Sequence, residues 1–220
     1  LEARMTEAGL TLAQIDAIFI THEHSDHIGC ARSLVLKHRI PVWMSHGTHA
    51  ALGAPDLDGL LRTARDLEPI DLGSWQAMPF TVPHDAREPL QLHCTDGAVR
   101  LGVLTDLGHA SAHVQEQLAG CHTLMLEANH DLQMLEASRY PAFLKRRIGG
   151  KYGHLANTAA AALLSAVQHP GLACVIAAHL SAQNNTPALA QQALGAALGW
   201  PADRTSAASP AMGTPLITVG

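Results

Sequence analysis

Thr21-His22-Glu23-His24-Ser25-Asp26-His27 places three imidazoles and the carboxylate of Asp26 at the spacing H-x-H-x-D-H within six consecutive positions, 22–27. This motif offers more ligands than one zinc ion with an open water position needs. The spacing H-x-H-x-D-H therefore predicts two metal ions side by side, an arrangement that activates water and holds a displacement reaction between two cations. A fortuitous cluster is the alternative, because the chain contains 15 histidines.

The residues around this motif place it at the end of a strand. Residues 15–20 form an apolar run with β-branched side chains, which is typical of a buried strand. A helix is expected to begin at about Ile28. The ligands are therefore predicted on a strand-to-helix loop, where open α/β sheets place their functional sites.

Composition indicates a globular protein. The 220 residues are 47% hydrophobic and 15% charged, and they are enough to bury a sizeable core. A net charge of −5 argues against broad electrostatic capture of nucleic acid, so such contact must come from local patches or from the metals. Scattered cysteines without a C-x-x-C pair fit a reducing cytoplasm, and no apolar run is long enough to span a membrane.

Strand-like and helix-like segments alternate along the chain, which predicts an α/β fold. We expect strands at 80–82, 90–94, 99–105, 123–126 and 174–178, and helices at 28–37, 111–118, 155–167 and 187–198. The span 53–74 has no clear period, and 201–215 is rich in Pro, Ser, Ala and Gly, which is typical of a loop. Because neither an internal repeat nor a linker is found, residues 1–220 are predicted to form a single domain.

Three further metal-capable side chains each follow an apolar strand, namely His84, Asp106 and His179. Taken singly, each has an ordinary alternative as a residue that caps a strand-to-helix turn. Taken with the first motif, they complete two ligand sets around a bridging Asp106. The predicted sets are His22, His24 and His84 for one metal, and Asp26, His27 and His179 for the other. The expected nucleophile is a hydroxide that bridges the two metals.

The order of these ligands resembles that of the metallo-β-lactamase-fold hydrolases, and in particular that of their YycJ/WalJ-like branch. The blocks that carry the resemblance are Thr21-His22-Glu23-His24-Ser25-Asp26-His27-Ile28-Gly29, Pro83-His84-Asp85-Ala86, Thr105-Asp106-Leu107-Gly108, Leu126-Glu127-Ala128-Asn129-His130-Asp131, Gly153-His154-Leu155-Ala156-Asn157 and His179-Leu180-Ser181-Ala182-Gln183-Asn184-Asn185. They extend over positions 21–185, and the later blocks are specific to that branch. The resemblance implies an αββα sandwich, two bound zinc or manganese ions, and phosphodiester hydrolysis of DNA.

The residue at position 106 bears on the chemistry. Lactam-cleaving members of this family typically carry a cysteine there, whereas its phosphodiesterases and thioesterases share a bridging aspartate. With Asp106 at this position, we expect the protein to be a dinuclear metal-dependent hydrolase. Its expected activity is that of a cytoplasmic exonuclease with a DNA substrate. Two other functions stay open, a small-molecule thioesterase resembling glyoxalase II and a non-catalytic metal-binding protein.

Asp26 and His154 are the predicted catalytic residues. His154 would protonate the leaving group or hold a non-bridging phosphate oxygen. Its alternative role is packing at the N-terminus of a helix.

Two other groups near the ligands have alternative interpretations. The basic run Lys145-Arg146-Arg147, with Lys151, would contact phosphates, or else it is a solvated helix end. Glu127 and His130 would act on the metals directly, or else they orient the ligand histidines.

The N-terminus departs from the family pattern. Relatives of this branch begin with a pair of strands and a Gly/Ser-rich turn ahead of the first helix, whereas this chain opens at Leu1, inside that helix. The resemblance therefore implies an N-terminally truncated domain that lacks its first strands.

Overall fold

Short parallel strands form the first of two β-sheets. The structure of this chain is a computed structural model, and it describes residues 2–209, 213–214 and 217–219. The first sheet has the order β1-β2-β3, with β1 (Ile18–Phe19), β2 (Val42–Met44) and β3 (Leu61–Thr63). Both strand pairs are parallel, with Ile18 opposite Val42 and Val42 opposite Leu61.

The second sheet has the order β10-β9-β8-β7-β6-β5-β4. Its strands are β4 (Ile70–Asp71), β5 (Gln76–Thr81), β6 (Leu90–Thr95), β7 (Arg100–Leu104), β8 (Thr123–Glu127), β9 (Cys174–Ala178) and β10 (Ser206–Ala207). Strands β4 to β7 pair antiparallel, whereas β7 to β10 pair parallel. Because β5 and β7 are both antiparallel to β6, the carboxyl ends of β5, β7, β8 and β9 lie at one edge of the sheet.

Helices occupy the connections between strands. They are α1 (Glu2–Glu7), α2 (Ser25–Ile28), α3 (Ala31–His38), α4 (His46–Ala51), α5 (Ala112–Leu118), α6 (Leu132–Ala137), α7 (Ala142–Ile148), α8 (Asn157–Val167) and α9 (Pro187–Leu198). Side-chain oxygens of Ser45, Ser111, Asp131 and Thr186 cap the N-termini of α4, α5, α6 and α9. Among the described residues, no helix combines the length and the apolar character that crossing a membrane requires.

Three apolar clusters order the elements into layers. Helices α5, α8 and α9 cover the outer face of the second sheet, where Val114, Leu163 and Leu194 pack in the cluster around Leu124 and Val175. A second cluster joins α3 to the outer face of the first sheet. The third lies between the sheets, because Phe19 and Trp43 of the first sheet pack against residues of β4 and β5. The order helix–sheet–sheet–helix confirms the predicted αββα sandwich.

The secondary structure differs from the sequence prediction in several places. The helix predicted at 28–37 is two helices, because Gly29 adopts a φ of 43° and ends α2. Asp26 and His27 therefore lie on the short helix α2 rather than on a loop. The span 53–74 contains β3 and β4, and β10 pairs with β9 inside the region predicted as a loop. Of α7, the sequence indicated only its basic end, as one of the two interpretations of Lys145-Arg146-Arg147.

Candidate metal centre

The predicted ligands converge because each follows a strand that ends at the same edge. His84 follows β5, Asp106 follows β7 and His179 follows β9. The loop after β1 reaches the same edge. The Leu90 backbone N–H donates a hydrogen bond to the Thr21 carbonyl oxygen at 3.0 Å, a normal distance for such a bond. The carboxyl ends of strands from both sheets thus surround one space.

Three imidazole nitrogens meet at the first predicted metal position. The Nδ1 atom of His24 lies 3.0 Å from Nε2 of His22 and 3.3 Å from Nε2 of His84. Two nitrogen ligands of a tetrahedral zinc ion lie about 3.3 Å apart when each zinc–nitrogen bond is about 2.0–2.1 Å long. The spacing of these three nitrogens therefore fits a single ion.

A second group lies on the other side of Asp106. Asp26 Oδ2 is 3.7 Å from His27 Nε2 and 3.9 Å from His179 Nε2. One donor atom from each of these three residues lies within 4.8 Å of the other two. This group reproduces the second predicted ligand set, so the structure brings both sets together.

Asp106 lies between the two groups and is buried. Its Oδ2 is 3.0 Å from His27 Nε2 and its Oδ1 is 3.8 Å from His84 Nε2, so one carboxylate faces a residue of each set. Although Oδ2 is close to His27, it has no hydrogen-bond partner with acceptable geometry among the described residues. A buried carboxylate oxygen without a hydrogen donor, opposite a ring nitrogen, is the environment that a cation would satisfy.

Outer contacts select which ring nitrogen faces inward. The Thr21 hydroxyl oxygen lies 3.0 Å from Nδ1 of His22 and 3.2 Å from Nδ1 of His27, and the Gly153 carbonyl oxygen lies 3.1 Å from Nδ1 of His84. When these Nδ1–H groups donate outward, each ring presents Nε2 to the centre as a lone pair. Sequence reasoning included Thr21 in the motif but assigned it no role.

Glu127 performs the same task for two histidines at once. Its Oε1 accepts hydrogen bonds from Nδ1 of His154 at 2.8 Å and from Nδ1 of His179 at 3.0 Å. Its Oε2 accepts from the backbone N–H groups of Leu107 at 2.7 Å and Leu155 at 3.2 Å. The carboxylate is fully buried, and these four donors balance its charge. Of the two alternatives for Glu127, this geometry favours orientation of histidines.

The charges at the centre suit metal ligation. Burial, assisted by the neighbouring imidazole of His27, lowers the pKa of His22 to about 3, and burial also lowers the pKa of His84. For Asp106, burial alone would raise the pKa, but the imidazoles of His27 and His179 lower it below the usual aspartate range. Neutral imidazoles and an ionised carboxylate are the protonation states that bind metal.

His179 differs from the other histidines in its protonation. Burial would lower the pKa of His179, but the hydrogen bond to Glu127 and the charge of Asp106 raise it to about 9. In the metal-free protein at neutral pH this imidazole is therefore a cation. A metal ion held by His179 would supply positive charge in place of that proton, so the surrounding carboxylates would favour either one.

A cavity of about 350 Å³ opens onto the centre, and His154 lines it together with Asp26 and His179 of the second group. Because Nδ1 of His154 is committed to Glu127, its Nε2 is the atom available to a substrate. The opposite wall comes from α7, where Arg147 donates from Nε to Asp85 Oδ2 at 2.7 Å. Asp85 Oδ1 is in turn 3.5 Å from His84 Nε2, so Arg147 is tied to the metal centre through one residue.

The remaining predicted residues have separate positions. His130 is buried and belongs to none of the ligand groups, and neither of its ring nitrogens has a hydrogen-bond partner among the described residues. Lys145 donates from Nζ to the carbonyl oxygen of Glu136. The basic run forms the last turn of α7, as one of its two interpretations expects, and its Arg147 also lines the cavity. Asp85, which sequence reasoning quoted without a role, connects this arginine to the ligands.

Comparison with known proteins agrees with this architecture. The sequence model of the metallo-beta-lactamase superfamily matches residues 1–125. The chain is 31% identical over 198 residues to exodeoxyribonuclease YycJ of Bacillus anthracis, an alignment that covers 88% of this chain and 74% of that protein. It is 31% identical over 193 residues to exodeoxyribonuclease WalJ of Streptococcus pneumoniae serotype 2 (strain D39), an alignment that covers 82% of this chain and 69% of that protein. Among solved structures, the metallo-beta-lactamase fold protein YhfI from Bacillus subtilis aligns with a TM-score of 0.72 at 13% identity, covering 94% of this chain and 80% of that chain.

Proposed function

This chain belongs to the metallo-β-lactamase superfamily of hydrolases, and we propose that it is a dinuclear metal-dependent phosphodiesterase that degrades DNA from its ends. The observation that carries the proposal is the pair of three-ligand groups that face each other across the buried Asp106. The substrate class comes from the two relatives that are exodeoxyribonucleases by name.

The two ligand groups would each hold one divalent ion. His22, His24 and His84 would hold the first ion, Asp26, His27 and His179 the second, and Asp106 would contact both. When bound, two such ions neutralise charge on the scissile phosphate and lower the pKa of a water molecule enough to make it a nucleophile near neutral pH. Imidazole and carboxylate ligands accept zinc and manganese, so both are proposed as competent metals.

His154 acts on the departing end of the substrate in this proposal. Glu127 accepts the Nδ1–H of His154, which holds the ring in one orientation and leaves Nε2 as its second proton-carrying atom. From that atom His154 donates to the oxygen that leaves the phosphorus, and this oxygen needs a proton once the ester bond breaks. The same Glu127 carboxylate accepts a hydrogen bond from His179, so it orients both the proposed acid His154 and the proposed metal ligand His179.

Asp26 is the second proposed catalytic residue. It lies in the first turn of α2 and lines the cavity, with Oδ2 between the Nε2 atoms of His27 and His179. A carboxylate in that place accepts a hydrogen bond from the attacking water and directs its lone pair at phosphorus. The role uses the oxygen that is not needed as a ligand.

The last turn of α7 places basic side chains beside the cavity although the chain is acidic overall. The last turn of α7 carries Lys145, Arg146 and Arg147, and Arg147 reaches the cavity beside the metal centre. A local cationic wall attracts phosphate groups without giving the whole molecule affinity for nucleic acid. A small uncharged thioester would gain nothing from this arrangement.

The test is degradation of end-labelled double-stranded DNA with manganese or zinc, by the chain and by its Asp106→Ala variant. We expect metal-dependent release of nucleotides from the ends, with a rate about 100- to 1,000-fold lower in the variant, the order expected for loss of one essential electrostatic group. Asp16→Ala is the matched control, because Asp16 is an exposed aspartate before β1. The number of metal ions bound per chain should fall in the first variant and not in the control.

Two outcomes separate the proposal from its competitors. A folded protein that binds two metal ions yet leaves DNA intact while hydrolysing a thioester would overturn the nuclease assignment. Salt adds a second criterion, because binding through phosphate contacts weakens steeply as ionic strength rises, whereas binding of an uncharged ester does not.

A further inference from the structure

Aromatic and basic residues concentrate in one short segment beside the metal centre. Both tyrosines of the chain and one of its three phenylalanines lie within positions 140–152. Four of its 14 lysines and arginines lie there too, and the segment has no acidic residue. In a chain with only 4% aromatic residues and a net charge of −5, this combination marks a distinct surface.

Two of these rings are exposed to solvent. Phe143 in α7 is 66% exposed and Tyr152, which follows α7, is 59% exposed. Phe143 immediately precedes Leu144, a residue that lines the cavity, and lies one helical turn before Arg147. Tyr152 immediately precedes Gly153, another lining residue. We call Phe143 and Tyr152 the aromatic rim, because both border residues of the cavity wall.

Backbone contacts fix the rim relative to the metal ligands. The Tyr152 carbonyl oxygen accepts from the backbone N–H of Asp85 at 2.9 Å, and the Lys151 carbonyl oxygen lies 2.9 Å from Nδ1 of His109. Gly108, two residues after the bridging aspartate, packs so closely that an added Cβ would lie 2.1 Å from the Lys151 carbonyl oxygen. The Tyr152 end of the rim is therefore held against the loops that follow β5 and β7.

We propose that the aromatic rim stacks on unpaired bases of the DNA strand whose phosphate enters the metal centre, while Arg146 and Lys151 contact that strand's other phosphates. This inference rests on the proposed nuclease function and specifies its substrate as an unpaired strand end. Arg146 and Lys151 are exposed and form no side-chain ion pair within the described residues, so their charges are available to phosphates.

Stacking explains why the strand must be unpaired and why its sequence is unimportant. Bases inside a duplex have both faces covered by their neighbours, whereas a frayed or single-stranded end offers a free face to an aromatic ring. Every base has such a face, so stacking tolerates any sequence. Exposed aromatic rings with basic side chains between them are the usual combination in single-strand binding surfaces.

The test measures binding without turnover. Fluorescence anisotropy of a fluorescein-labelled single strand is followed with the chain in chelator, for the wild type and for Phe143→Ala, Tyr152→Ala and the double variant. We expect each single substitution to weaken binding about 10-fold and the double substitution about 100-fold, the order of one lost stack per ring. Phe143→Tyr, which keeps a ring, should bind like the wild type. A blunt duplex of the same length should bind more weakly and respond less to the substitutions.

Trp75→Ala is the matched control, because Trp75 is 39% exposed but lies between β4 and β5, outside the rim. Its affinity for the strand should equal that of the wild type. If the wild type and the double variant bind the single strand equally well while the wild type still degrades DNA, the binding role of the rim is overturned and the nuclease function stands. If the wild-type chain degrades no DNA but the rim variants bind the strand more weakly than it does, the nuclease function is overturned and the rim remains a DNA-binding surface. Tighter binding of the wild type to the duplex than to the single strand would also refute the proposed role of the rim.

Discussion

Replacement of Glu127 by glutamine tests whether one buried carboxylate organises the centre. The substitution keeps the size of the side chain but removes its charge and replaces one oxygen with an NH2 group. In the native arrangement both oxygens only accept, Oε1 from two imidazoles and Oε2 from the backbone N–H groups of Leu107 and Leu155. An amide has one acceptor oxygen, so it satisfies one pair of donors and presents N–H groups to the other.

The geometry sets the size of the effect. If the amide oxygen of Glu127→Gln stays with the imidazoles, the N–H groups of Leu107 and Leu155 lose their acceptor inside the protein. Each unsatisfied buried donor costs about 1–3 kcal/mol, so the metal-free variant should lose about 2–6 kcal/mol of its free energy of unfolding. The opposite orientation leaves His154 and His179 without their acceptor. Metal affinity should then fall about 10- to 100-fold, as for other groups that orient ligand histidines.

Urea unfolding of the chelated protein measures the stability, and competition with a chromophoric chelator measures metal affinity. Glu136→Gln is the matched control, because Glu136 is exposed on α6. It removes the same charge from the chain and should change the free energy of unfolding by less than about 0.5 kcal/mol.

The charge of Glu127 also controls the pKa of His179. Burial alone would raise this pKa, but hydrogen bonds from His154 and His179 lower it, so the carboxylate is ionised and supports the high pKa of His179. In Glu127→Gln the pKa of His179, followed by NMR in the metal-free protein, should fall from about 9. A variant as stable as the wild type, with unchanged metal affinity and an unchanged His179 pKa, would refute the assigned role.

Two further predictions concern residues outside the ligand sets. Burial lowers the pKa of His93 in β6, so the unfolded chain binds a proton more readily and stability falls as the pH drops below about 6.5. In chelated protein, urea titrations should show that His93→Gln makes this fall shallower by up to about 1.4 kcal/mol per pH unit; parallel curves would contradict it. Gly153→Ala should lose stability and most activity, because the new Cβ would lie 2.1 Å from a carbonyl oxygen of α7. Gly149→Ala, whose Cβ would meet nothing nearer than 3.5 Å, should unfold at the wild-type temperature, and equal melting of both variants would sink this argument.

The proposed ligand sets were predictable because their signal is local. Four of the residues form the H-x-H-x-D-H motif after β1, the other three each follow an apolar run, and parallel strands bring such positions to one edge of a sheet. His84, Asp106 and His179 needed no knowledge of distant contacts beyond that rule. The family resemblance then supplied the layer order, which the two sheets and their helices confirm.

The supports of the ligands were not predictable in the same way, because their partners are distant in sequence. Glu127 contacts His154 and His179 across 27 and 52 positions, and nothing near Glu127 indicates which side chains it meets. Strands β3 and β4 are only three and two residues long and are defined by pairing with β2 and β5, so local propensity does not reveal them. Helix α7 is also hard to recognise, because its seven residues follow Pro141 without a side-chain cap, whereas Ser111 marks the start of the equally short α5.

Backbone strain at the centre adds a last constraint that residue types alone do not convey. Asp106 and His179 adopt φ angles of 54° and 55°, a left-handed conformation that costs a residue with a side chain roughly 1–2 kcal/mol. Both follow a strand directly, and the turn directs the chain away from the sheet so that the side chain stays at its edge. Hydrogen bonds hold each turn: Glu127 accepts from the residue after Asp106, and Asn129 Nδ2 donates to the His179 carbonyl oxygen at 2.9 Å. Because Glu127 at the end of β8 and Asn129 just after it support the two strained turns, this segment sets the positions of the proposed bridging ligand and of a proposed terminal ligand together, and a change there should disturb both.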